Sequence, residues 1–361
     1  MVAVPEITEK SLRSFPKILL HDHLDGGLRP ETIISIAKDI NYKSLPSYDA
    51  KELAKWMLAT ANQGKLELYL DAFTHTIAVM QTEESLFQVA EECVIDLAND
   101  GIVYAEVRFA PELFQQKGLK LEEVVQAVLQ GFQSGMKGRS IKVNGILCAM
   151  RSDIRSEEIA EVTAAFINLG IVGFDIAGPE IGFPPLMHLN AFDFARKNDI
   201  PITIHAGEAA GPEFIEEAFS ACHASRIGHG ISIRQDITFN NGKASFGKIA
   251  SELIQRSVPL EICPTSNVHT GIVKSIKNHP VHDFLNNGLS VTINTDNRLM
   301  SSTNLTSEFL QCRESFGWSW KEICDVTDTA ITHAFLPQHE KDKLKVRVES
   351  WEKGKGISGK D

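Results

Sequence analysis

The 361-residue chain holds little cysteine and spreads it thinly. Cys93, Cys148, Cys222, Cys263, Cys312 and Cys324 form no C-x-x-C pair and no dense cluster. That argues against a disulfide scaffold or zinc finger and for reduced, partly buried small hydrophobes. Basic charge is in deficit: 36 Lys+Arg face 47 Asp+Glu, for a formal net charge of -11. A surface of that sign repels phosphate backbones, so nucleic acid is not an expected partner. No apolar run approaches the roughly 18 residues a membrane helix needs, and the N-terminal segment lacks the charged-then-apolar layout of a signal peptide. A cytoplasmic protein without membrane association is expected. Low-complexity tracts, linkers and short solenoid repeats are also missing, so one domain over residues 1–361 is the simplest organisation.

What is present is a recurring unit. Hydrophobic residues make up 43% of the chain and charged ones 23%, enough apolar material for a sizeable core. Eight β-branched, apolar stretches end in polar or glycine residues: KILLHDH at His23, VYAEVRF at Phe109, KVNGILCAM at Met150, VGFDIAG at Gly178, PITIHAG at Gly207, RIGHG at Gly230, PLEICPTSN at Asn267 and LSVTINTDN at Asn297. Most are followed by segments whose apolar residues recur every three or four positions, such as those from Glu83, Leu121 and Pro212. Eight strands alternating with helices predict an α/β fold of the (β/α)₈ TIM-barrel type. Residues 24 to 100 are too many for one crossover, which predicts extra helices between strands one and two. Lying after a strand, they would cover the mouth of the barrel as a lid or pocket wall, or else simply pack an enlarged domain.

Polar groups at the C-terminal ends of barrel strands converge on one mouth. The first stretch ends in His21-Asp22-His23, and the two-residue period of a strand points both imidazoles to the same face. An H-x-H alone is weak evidence for a metal, because a turn or core pair looks the same. The fifth stretch adds His205 and the eighth adds Asp296. Three nitrogens and one oxygen suit one Zn²⁺ per chain with room left for a water. Such an ion lowers the pKa of water toward neutrality, which predicts hydrolysis or hydrolytic deamination. Glu208 and His229 stand at strand ends without being needed as ligands and are candidate proton carriers. The remaining eight of the twelve histidines lack this placement and are expected to be surface or hydrogen-bonded residues, though His269 follows the seventh strand closely. Cys263 lies in that strand too, but the zinc shell is filled without it.

The segments HDHLDG, DIAGPE, TIHAGE, RIGHG and NTDN, in this order and spacing, resemble the motifs of the adenosine deaminases of the amidohydrolase superfamily. The resemblance spans all eight strands. It implies a zinc-bearing barrel in which zinc-activated hydroxide attacks position 6 of a purine, releasing ammonia from a small-molecule nucleoside in a purine-salvage reaction. Matched residue by residue, it implies zinc on His21, His23, His205 and Asp296, proton donation from Glu208 to ring nitrogen 1, and orientation of the water by His229. Asp25 would meet a ribose hydroxyl and the backbone N–H of Gly178 ring nitrogen 3. Many family members carry a second Asp after the metal-binding one, where this chain has Asn297. An amide donates to ring nitrogen 7 at any pH, whereas a carboxyl must be protonated, so Asn297 is expected to keep the contact.

The nearest rivals are adenine deaminase, deaminases of modified nucleosides such as aminodeoxyfutalosine, and cyclic-amide hydrolases. Asp25 argues against the first, since free adenine has no ribose. Strand four carries Asp175-Ile176-Ala177-Gly178 where two-metal amidases place a carboxylated lysine. The zinc deaminases of cytosine use H-x-E with P-C-x-x-C, and neither pattern occurs. A non-catalytic nucleoside sensor on the same barrel predicts a lost ligand or proton carrier, and none is missing.

Overall fold

The computed structural model describes residues 5–240 and 243–355. The eight expected stretches contain β1 Lys17–His23, β2 Ile102–Phe109, β3 Lys142–Met150, β4 Ile171–Ala177, β5 Thr203–Ala206, β6 Arg226–His229, β9 Leu260–Ile262 and β10 Val291–Ile293. Between β6 and β9, β7 Ile237–Asn240 and β8 Lys243–Phe246 pair antiparallel, a hairpin outside the barrel that the strand pattern did not predict. The seventh stretch was expected to run to Asn267; its strand stops at Ile262, and Pro264, pre-set for the first turn of a helix, opens the helix Pro264–His269.

The strands form two parallel sheets, β1-β2-β3-β4 and β10-β9-β6-β5. Parallel bridges Asp22 to Asp296 and Phe174 to Ile202 join them at both seams, closing a (β/α)₈ barrel. At the first seam, Oδ1 of the buried Asn294 accepts the backbone N–H groups of Leu20 and His21 at 3.0 and 3.1 Å. The His23 N–H donates to the Asp296 carbonyl at 2.7 Å. A side chain thus completes the ladder where β10 is too short to do so, and it holds the H-x-H strand against Asp296.

All eight residues of β2 are buried, as a strand covered on both faces must be. Outer helices begin at side-chain caps: Thr82 and Ser85 form a reciprocal box before Glu83–Asn99, and Ser319 and Glu322 do so before Trp320–His333. Five helices lie between β1 and β2: Pro30–Asp39, Ala50–Ala61, Leu66–Asp71, Phe73–Val79 and Glu83–Asn99. These helices differ in what they pack against. Ala50–Ala61 buries Leu53, Met57 and Ala61 against the core, while Leu66–Asp71 and Phe73–Val79 put Leu66, Tyr69, Leu70, Phe73 and Ile77 on the wall of the central pocket. No helix among the described residues is long and apolar enough to cross a membrane.

Candidate active site

The C-terminal mouth of the barrel opens into a cavity of about 790 Å³ including its entrance. It is lined by apolar side chains of the two inserted helices with Leu113 and Met150, and by His23, Asp25, Gly178, His205, Glu208, His229, Asp296 and Asn297. Every predicted pocket residue except His21 therefore reaches this surface, and His21 lies fully buried beneath it.

Ligand-capable atoms of this lining converge with those of His21. His23 Nε2 stands 3.2 Å from His205 Nε2 and 3.4 Å from Asp296 Oδ1, and His21 Nε2 stands 3.5 Å from the same oxygen. Ligands bound tetrahedrally at zinc distances are separated by about 3.3–3.4 Å, so the spacing fits one ion. His21 Nε2 is buried with no hydrogen-bond partner, the kind of orphaned atom a metal satisfies. Ligand atoms of His21, His205, His229 and Asp296 also lie within 4.8 Å of one another, so proximity alone offers His229 as an alternative to His23. Burial holds His23 and His205 below the usual imidazole range, in the neutral form a ligand needs.

Beneath these groups lies a charged layer that the sequence reading missed. His21 Nδ1 contacts Glu261 Oε2 at 2.8 Å, and His205 Nδ1 lies 3.0 Å from Asp175 Oδ2. The fully buried Arg108 donates to Asp175 at 2.6 Å and to Glu261 at 2.8 Å, and Arg226 joins Glu261 to Glu106, each at 2.6 Å. Burial opposes ionisation of Glu261, but Arg108, Arg226 and the bond to His21 outweigh it and hold the carboxyl well below its usual range. Carboxylates that accept from Nδ1 fix the tautomer that turns Nε2 toward a metal. The signal was present: charged residues interrupt otherwise apolar strands in VYAEVRF, RIGHG and PLEIC. Asp296 itself accepts from Ser266 Oγ at 2.5 Å. Its φ of +58°, like the +61° of His229, lies in the left-handed region that few side chains adopt.

Two carboxyls face the cavity in unusual states. Burial, reinforced by the charges of Asp296 and Glu180, pushes Glu208 well above the ordinary carboxylate range and favours its protonated form. Burial likewise raises Asp25 to about 7, and its Oδ1 has no partner. Gly178 has φ +108°, which a side chain would strain. Gly26 is required for another reason: a Cβ there would sit 1.9 Å from Asn297 Oδ1, so its absence makes room for the Asn297 amide. His269, adjacent in sequence, does not line the cavity, and Cys263 is buried with its Sγ toward the Glu261 carbonyl.

The family model for adenosine deaminase matches residues 16–351. The chain belongs to the adenosine deaminase family. The adenosine deaminase of Mycobacterium ulcerans is 49% identical over 340 residues, covering 92% of this chain and 94% of that one. Among solved structures, an adenine deaminase from Arthrobacter aurescens superimposes with a TM-score of 0.83 at 26% identity, covering 94% of this chain and 99% of that one. An amidohydrolase from Burkholderia ambifaria solved with bound Zn shares the fold, with a TM-score of 0.81 at 18% identity over 99% of this chain and 98% of that one. Adenosine deaminase family membership accounts for the order of the five motifs and for the barrel that carries them.

Proposed function

We propose that this chain is a cytoplasmic, zinc-dependent adenosine deaminase that converts adenosine, and 2'-deoxyadenosine, to inosine and ammonia. One observation carries the reading: in a three-imidazole, one-carboxylate set, His23 lies 3.2 Å from His205 and 3.4 Å from Asp296, and His21 lies 3.5 Å from Asp296, beside a buried carboxyl, Glu208, raised well above its ordinary range. The family match and the named relatives support the substrate class.

In this reading His21, His23, His205 and Asp296 hold the ion. A bound zinc supplies the Lewis acidity that makes water a nucleophile near neutral pH. The chain's own residues do the rest. The flat purine lies against the apolar wall of Leu66, Phe73, Leu113 and Met150, which excludes water. Protonated Glu208 donates to ring nitrogen 1, drawing electron density from position 6 and opening it to attack. His229 donates to the oxygen that accumulates charge. Gly178 N–H and the Asn297 amide orient the base through nitrogens 3 and 7, and Asp25 accepts from a ribose hydroxyl. The two protons of the attacking water are passed on, one to the leaving amine, which departs as ammonia, and one to restore Glu208.

Absorbance at ultraviolet wavelengths tests the proposal, with adenosine, deoxyadenosine, adenine and aminodeoxyfutalosine run side by side on the zinc-loaded protein. Rapid adenosine loss with inosine as product is expected. Turnover of another substrate with adenosine inert would overturn the substrate assignment.

A further inference from the structure

His229 is anchored from behind by a chain of three hydrogen bonds that begins at the backbone. The N–H of Val281, first residue of the helix Val281–Asn286, has no intrahelical partner and donates to Nδ1 of His279 at 3.1 Å. A backbone amide is always a donor, so His279 Nδ1 must be the bare nitrogen and Nε2 must carry the proton. His279 Nε2 lies 3.2 Å from Oδ1 of Asn267, and Asn267 Nδ2 lies 3.0 Å from Nδ1 of His229. Flipping the Asn267 amide would oppose two N–H donors at His279, so the Val281 N–H fixes the amide orientation as well. All three side chains are buried, at 3% for His279, 0% for Asn267 and 1% for His229, so water cannot substitute for any link.

We propose that His279 and Asn267 are positioning residues that lock His229 in the tautomer with its proton on Nε2, facing the ligand cluster as a hydrogen-bond donor. The inference rests on the reading of this mouth as a deaminase site, and deepens it. It also decides between the two candidate metal sets. A nitrogen bearing a proton has no lone pair for a metal, so the fourth ligand is His23, and His229 is free to donate to an oxygen that develops charge. Asn267 belongs to the helix that begins at Pro264, and His279 lies twelve residues further on, outside every barrel strand.

The direct test is long-range proton–nitrogen NMR on zinc-loaded protein labelled with ¹⁵N-histidine, with signals assigned through His229→Gln and His279→Gln. The expected result is a proton on Nε2 of both His229 and His279. A proton on Nδ1 of His229 would overturn the proposal. Asn267→Asp offers only acceptor oxygens to His229 and should move its proton to Nδ1. Turnover should then fall at least ~100-fold with KM changed by less than ~3-fold. His279→Gln keeps a donor toward Asn267 and an acceptor toward Val281, and should keep turnover within ~5-fold of the parent by preserving that polarity. Equal losses in Asn267→Asp and His279→Gln, in proportion to lowered melting temperature, would reduce the relay to packing and overturn it. Should Asn267→Asp fail to fold, the spectrum of the unaltered protein still decides. Adenosine left inert with the proton on Nε2 defeats the substrate reading alone; adenosine consumed with the proton on Nδ1 defeats the relay alone.

Discussion

The carboxylate of Glu180 clasps the backbone of Glu208. Its Oε2 accepts the Glu208 N–H at 3.0 Å and those of Ala209 and Ala210 at 2.5 and 2.8 Å, while Oε1 accepts from Gly207 at 2.5 Å. Four consecutive amides close around one buried side chain that comes from the loop after β4. Those bonds tie down the segment after β5, and the Glu180 charge helps push the Glu208 carboxyl above its ordinary range. Glu180→Gln replaces one acceptor with a donor that faces N–H groups. Turnover should fall at least ~10-fold and the protein should lose about 1.5–3 kcal/mol of stability, the range for a hydrogen bond to a charged group. Steady-state kinetics with denaturant titration checks both, and unchanged values in the two would remove Glu180 from the positioning of Glu208.

Glu208→Gln should bind metal and substrate normally while turnover drops at least ~100-fold, the low end for a positioned acid. The parent should also lose turnover as pH rises through the raised pKa of Glu208, because only the protonated form donates. Near-normal turnover in the variant, read beside its zinc content, removes Glu208 from the mechanism.

Asp25 links function to stability. Its folded pKa of about 7 exceeds the ordinary aspartate value of about 3.9, so across that window the folded protein holds more protons than the unfolded one and stability falls as pH rises. Asp25→Asn abolishes that dependence. The variant should melt above the parent at about pH 8, the gap should close toward about pH 4, and KM for adenosine should rise. Calorimetry at the two pH values, with parallel kinetics, checks the pair of effects.

His23→Ala should lower zinc content and activity together, measured by atomic absorption on the dialysed protein. A chelator should reproduce the loss in the parent and lower its melting temperature, since an ion that binds only the folded state stabilises it by mass action. A fully loaded, active His23→Ala protein would transfer the ligand role to His229.

Asn297→Leu removes the amide while filling similar space. The specificity constant for adenosine should fall about 10-fold or more, as expected when a buried donor to the substrate is lost. An unchanged constant would show that the base is oriented without Asn297.

How much of this was legible in the chain follows from how local each signal is. Strand ends are local: an apolar run finishing in His21-Asp22-His23 or Thr295-Asp296-Asn297 marks a barrel mouth whatever the rest does, and the period of two puts both histidines on one face. The barrel could therefore be named from sequence, and the residues proposed as ligands and proton carriers could be picked out as candidates. The charged layer of Glu106, Arg108, Asp175, Arg226 and Glu261 was less legible, because each residue is an isolated charge in an apolar run and only ring closure brings them together.

The protonation states belong wholly to the tertiary structure. Glu208 is an ordinary carboxylate in the sequence, and burial beside Asp296 and Glu180 raises its pKa well above that range. His279 reads as one of eight unremarkable histidines until the fold sets it against a backbone amide and Asn267. Residue types and their spacing determined which chemistry this chain can do. Which nitrogen or oxygen holds each proton depended on low-dielectric burial and on partners tens of residues away, which no local pattern encodes.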